Sequence, residues 1–141
     1  MVAMKKLLGL IAFLSLSLEC IAQTCVAAKD SSRLSIAGGS LTEIVYLLGA
    51  EKQIVAVDVT SNYPPKARVL PSIGYVRNLS AEGILSLDPT IILGEDDMGP
   101  PTVLTQLDAM GVPIVIVPER HTVQGIIDKI RCIGNIIDQP E

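Results

Sequence analysis

Tyr75 and Arg77 stand two residues apart in the stretch SIGYVRNLSAEGILSL, residues 72–87. A phenol is a poor ligand until something stabilises its anion, and a guanidinium two residues along can do so by charge and hydrogen bonding. A phenolate held this way is a hard oxygen donor suited to ferric iron, and tyrosine is one of the residues that ligates haem iron axially. Gly74 gives the backbone freedom to project the phenol from a loop. The same spacing also fits a plainer arrangement, in which Tyr75 covers the helix starting at Ser80 and Arg77 pairs with a surface carboxylate. Tyr46, by contrast, falls inside a helix, where packing accounts for it, and Tyr63 lies in another loop.

Other groups offer less. Gly38-Gly39-Ser40 could cradle an anion between a strand and a helix, but it lacks the third glycine of a dinucleotide turn and the Lys-Ser/Thr of a P-loop. A tight turn with a capping serine is the better reading. The carboxylates of EDDMG (95–99) lack the alternate spacing and distant glutamate of an EF-hand, which favours a solvated loop. His121 is the single histidine, so no multi-histidine metal site can be built within the chain. Cys132 reads as a lone, buried thiol on an apolar helix. No G-x-S-x-G nucleophile elbow occurs, and an exported enzyme using the Gly38-Gly39 turn with His121 as acid or base is the weaker alternative to a binding protein.

The amino terminus bounds the compartment. Lys5 and Lys6 precede an apolar stretch from Leu7 to Leu18, too short to span a bilayer comfortably, and a secretory signal peptide over residues 1–28 is expected. Small residues at Val26-Ala27-Ala28, or earlier at Ala22, place the mature start at Lys29 or Gln23. Glu19 and Thr24 precede Cys20 and Cys25 where a lipoprotein signal wants a small residue, favouring a soluble periplasmic protein. Cleavage after Ala28 would leave Cys132 alone and exclude an intrachain disulfide. Removing two cations and one anion with the leader moves the net charge from −4 to −5, which argues against a nucleic-acid partner.

From Arg33 onward, β-like and helix-like runs alternate across turn residues, the pattern of an α/β protein with a parallel sheet flanked by helices. Strands are predicted at 33–38, 53–57, 90–94 and 112–118, with 90–94 buried on both sides. A first helix follows Gly39, with Ser40 and Glu43 as a capping box. A loop with four scattered turn residues covers 58–71, and a short helix capped by Ser80 runs to Leu87. A third helix from Pro101 should turn Val103, Leu104, Leu107 and Met110 inward. The last helix starts at Thr122 and carries an apolar stripe of Val123, Ile126, Ile127, Ile130, Ile133 or Gly134, and Ile137 that needs a cover.

Three segments, LSIAGGSLTEIVYLLGA, IVAVDVTSNYPPKARVLPSIGYVRNLSAEGILSLDPTIIL and QLDAMGVPIVIVP, together resemble the periplasmic haem-binding proteins of bacterial haem ABC importers, within the wider group of cobalamin and siderophore binders. The resemblance implies two α/β lobes joined by a long helix, with ligand held between them. This chain then supplies the amino-terminal lobe (33–121) and the start of the interlobe helix (122–141), without a carboxy-terminal lobe. It implies that Tyr75 is the axial ligand of haem iron and that Arg77 stabilises the phenolate or meets a propionate. Glu82, at the start of the following helix, would dock into an arginine pocket of the inner-membrane permease. The implied protein is a monomeric, non-enzymatic carrier of haem. The alternatives are a cobalamin or ferric-siderophore binder on the same scaffold, or a truncated chain without function. A single lobe leaves one porphyrin face to water, so weak haem binding is expected of it.

Overall fold

Every residue of Leu34–Ala37 and of Ile91–Gly94 is buried, which a strand achieves only when helices cover both faces of its sheet. In the computed structural model, which describes residues 25–138, these two runs are the central strands β1 and β5. The basic and apolar segments of the expected signal peptide, and Ala22, lie outside the described residues. Strand β2 is Ile54–Val57, and β6 is Ile114–Ile116. All four are parallel in the order β2-β1-β5-β6, with Leu34 opposite both Ile54 and Ile91 and Ile92 opposite Ile114.

The connections follow from that order. The β1-to-β2 crossover carries helix α1 (Gly39–Leu47) outward in one direction, and the β5-to-β6 crossover carries α3 (Pro101–Ala109) in the other. Right-handed crossovers in opposite directions put these helices on opposite faces. Helix α4 (Val123–Ile136) contacts α1, and the short α2 (Ala81–Leu85) contacts α3. One face buries Leu34, Ile36, Leu41, Val45, Leu93 and Ile133 together, and the other buries Ala37, Ala56, Ile84, Ile92, Met98 and Leu107. The parallel α/β fold is therefore as the sequence predicts, and adjacent residues of β5 feed separate cores.

Four local expectations are corrected. Gly38, not Ser40, precedes α1 as its cap, and no side chain caps that helix. Met110 is 66% exposed beyond the end of α3, leaving Leu107 as that helix's buried residue. On α4 the buried face runs through Gly125, Lys129, Cys132, Ile133 and Ile136. Ile133 and Ile137 of the predicted stripe are buried, but Val123, Ile126 and Ile127 are exposed, because the face that α4 lays on the lobe is rotated from the stripe toward Lys129 and Ile136. Thr122 does cap α4, accepting from Gly125 N at 3.0 Å, and Ser80 caps α2, accepting from Gly83 N at 3.2 Å.

The fourth correction is covalent. Cys132 is not a lone thiol: it forms a disulfide with Cys25, across 107 residues of sequence. The lone-thiol expectation held only for a chain cut after Ala28, and Cys25 is present here. Cross-linking residues so far apart removes much freedom from the unfolded chain, worth about 4 to 5 kcal/mol in the loop-entropy picture. Reducing the protein, or substituting Cys132→Ser, is accordingly expected to lower the urea midpoint substantially. Superimposable denaturation curves of oxidised and reduced protein would contradict this.

Candidate functional site

Gly74 and Tyr75 do not lie in an irregular loop, as the sequence suggested, but form the two-residue strand β3, paired antiparallel with β4 (Asn78–Leu79). Gly74 adopts φ +95°, and a Cβ there would sit 3.2 Å from Asn78 O, so the tight hairpin suits glycine at this place. Val59 N donates to Gly74 O at 2.9 Å on one side, and Gly99 N donates to Val76 O at 2.9 Å on the other. The hairpin is thus held between the loops that leave β2 and β5, at the carboxyl ends of the parallel strands.

Within it, Val76 and Leu79 turn inward, each 5% exposed, while Tyr75 is 44% exposed. The covering role that a plainer reading gave to Tyr75 belongs to Val76 and Leu79. No described residue hydrogen-bonds the Tyr75 hydroxyl. Arg77 Nε donates to Asp97 Oδ2 at 2.6 Å, and its Nη2 approaches the same oxygen at 2.6 Å. That hydrogen bond, followed by the nearby Tyr75 oxygen and the charge of Asp97, holds the guanidinium above its ordinary pKa and fixed as a cation. The surface-carboxylate half of the plainer reading is therefore present, alongside an exposed phenol. Tyr46 differs: burial, with the charge of Glu51, raises its pKa and disfavours its anion.

Two further networks shape the same edge. Asp58, 2% exposed, accepts from Gly38 N at 3.2 Å, Ser61 Oγ at 3.0 Å and Thr60 Oγ1 at 2.8 Å, so the loop after β2 is tied to the start of α1. Beside it, Lys129 of α4 is 5% exposed and donates to Ser40 Oγ at 2.6 Å and to Glu119 Oε2. Its ammonium lies 3.7 Å from Glu95 Oε1, which accepts from Ser40 at 2.7 Å. One ammonium thus joins the ends of β5 and β6, the first turn of α1 and the middle of α4.

These contacts decide the lesser candidates. Gly38 N–H is taken by Asp58, and a Cβ on Gly38 would fall 2.6 Å from Glu95 Cδ. The glycine turn accommodates the protein's own carboxylates and has no room to cradle a foreign anion. The acidic loop is not simply solvated, since Glu95 joins the Lys129 cluster, Asp97 pairs with Arg77 and Met98 is buried. Among the described residues, no group of three or more His, Cys, Asp or Glu converges as a metal site. His121 is exposed, with Nδ1 3.9 Å from Glu119 Oε1. Glu82 is exposed in the first turn of α2, on the rim of a shallow groove lined also by Leu85, Gln106 and Met110. No helix among the described residues is long and apolar enough to cross a membrane.

Asp58, Asp97 and Lys129 were missed from the sequence. Asp58 had a usable signal, being the first residue of an Asp-x-Thr-Ser turn whose hydroxyls can fold back on it. Asp97 and Lys129 had none, because their partners are 20 and 10 residues away and meet them only through the fold.

Comparison with known proteins places this architecture. Residues 34–141 match the model of the periplasmic binding protein family. A periplasmic haem-binding protein from Pseudomonas aeruginosa has a solved structure with TM-score 0.74 and 40% identity, covering 77% of this chain and 39% of that one. The periplasmic haem-binding protein HutB of Vibrio cholerae gives TM-score 0.72 and 43% identity, covering 78% and 42%. A vitamin B12-binding protein of Pectobacterium carotovorum is 32% identical over 100 residues, 71% of this chain and 36% of that protein. The chain thus spans well under half the length of these relatives.

The Lys129 cluster yields a prediction for the site's frame. Lys129→Met would leave two partly buried glutamates without their shared cation and is expected to cost about 2 to 4 kcal/mol. Adding Glu119→Gln should recover part of that loss in chemical denaturation. A single variant as stable as the parent would show that the cluster does not hold α4 in place.

Proposed function

The chain belongs to the periplasmic binding protein family, and on that premise we propose that it is the amino-terminal lobe of a periplasmic haem carrier serving an ABC importer. The observation that carries this reading is the position of Tyr75, exposed at the hairpin that closes the carboxyl edge of the sheet. Open α/β sheets bind ligands outside the carboxyl ends of their strands, near the point where the strand order reverses. Here the reversal lies between β1 and β5, and the loops leaving β2 and β5 clamp the hairpin.

The chemistry of the donor set fits haem. Tyr75 offers one hard oxygen to ferric iron, and an exposed phenol can reach a flat macrocycle laid along the edge. Arg77, held beside the phenol by Asp97, is a cation that can receive a propionate carboxylate or face the charge of an iron-bound phenolate. The named haem binders share 40% and 43% identity with this chain, compared with 32% for the named vitamin B12 binder, which adds to the case for a porphyrin. That B12 match favours a corrinoid as the second reading, on the same scaffold and edge.

Glu82 is the docking residue in this proposal. Its carboxylate is exposed in the first turn of α2, close in sequence to the hairpin yet outside the ligand edge, so a permease arginine can meet it while cargo is held. Capture and release then need no bond made or broken in the cargo, and the protein acts as a carrier and not as an enzyme. In this reading the basic and apolar amino-terminal run acts as an export signal, and the carrier works in the periplasm.

Titration with hemin and, in parallel, with cobalamin tests the reading. Hemin is expected to develop a shifted Soret band and a phenolate-to-iron charge-transfer band. Tyr75→Phe should abolish the charge-transfer band and weaken binding by about tenfold or more, on the order of 1.4 kcal/mol or above. Retention of both features in Tyr75→Phe, or a response to cobalamin alone, would overturn the haem assignment.

A further inference from the structure

We propose that the exported chain is cut between Ala22 and Gln23, upstream of Cys25, and that the retained residues 25–31 form a covalently fastened strap across the end of α4. The sequence offers two small-residue sites, Ala22 and Ala28, and by itself does not choose between them. The contacts of the strap do. Cys25 is bonded to Cys132 on the buried face of α4. Cys25 and Ala28 pack against the core that contains Ile133, Ile136 and Ile137.

The strap also completes the helix. The last carbonyls of an α-helix have no partner within it and must find donors elsewhere. Ala28 N donates to Ile136 O at 2.9 Å, and Ser31 Oγ reaches Ile137 O at 3.4 Å. Cleavage after Ala28 would remove both the disulfide partner and the donor to Ile136, and it would leave the Cys132 sulfur as a buried, unpaired thiol. Cleavage after Ala22 keeps every one of these contacts.

The chemistry balances in two steps. Hydrolysis adds water across the Ala22–Gln23 amide. The thiols of Cys25 and Cys132 then lose two protons and two electrons, accepted by a protein disulfide through thiol–disulfide exchange in an oxidising compartment. A Cys25 sulfur committed in this way cannot carry a lipid thioether, so the mature chain is not anchored through it.

This inference rests on the export reading above, and one experiment separates the two. The full 141-residue chain is expressed in a Gram-negative host, and its periplasmic and cytoplasmic fractions are analysed by intact mass before and after reduction and alkylation. The expected product is periplasmic, begins at Gln23, lacks two hydrogens relative to the dithiol and takes up alkylating agent only after reduction. Ala28→Arg should be processed like the parent, whereas Ala22→Arg should accumulate as precursor. A periplasmic product beginning at Lys29, or Cys132 alkylated without reduction, would overturn the strap and leave export standing. A chain found uncut in the cytoplasm would overturn both.

Discussion

Strands β1 and β5 are covered on both faces, and this confinement governs where anything polar can happen in the lobe. A strand between two apolar layers satisfies its backbone groups along the ladder and leaves no side of itself for charge. Residues that meet water or ligand are displaced to the strand ends. Gly38, Asp58, Glu95 and Glu119 follow β1, β2, β5 and β6 within a few residues, and the Tyr75 hairpin is clamped among their loops.

Along that edge, the carboxylates serve structure and the phenol remains available. Asp58 is fully engaged by backbone and hydroxyl donors, Glu95 and Glu119 share Lys129, and Asp97 holds Arg77. Burying charge without such partners would be strongly unfavourable. Tyr75 keeps an exposed hydroxyl that no described residue hydrogen-bonds, although its backbone is tightly held. A fixed main chain with an uncommitted side-chain tip is what a preorganised ligand contact requires.

What the sequence made legible was set by range. Strand runs, the Thr122 and Ser80 caps and the two-faced burial of Ile91–Gly94 depend on neighbours within a turn or a ladder, and all are visible in the chain. Ser40 misled because its spacing to Glu43 satisfies a local rule, while the folded hydroxyl finds a better partner 55 residues away in Glu95. On α4, a periodic apolar pattern showed that the helix would form. It did not show which face the lobe would take, and the buried lysine fell on the chosen one. Tyr75 was legible as a candidate, but its exposure depends on Val76 and Leu79 filling the core beneath it.

The pairing of Arg77 with Asp97 has a consequence for how readily the edge can be remodelled. Both side chains are well exposed, and ion pairs in such settings contribute little, because water screens them. A guanidinium so lightly tethered is a cation on loan: Asp97 keeps it ordered beside the phenol, and an arriving anion can claim it with little energetic penalty. Added salt would weaken the tether without disturbing the hairpin, whose own fastening is through backbone amides.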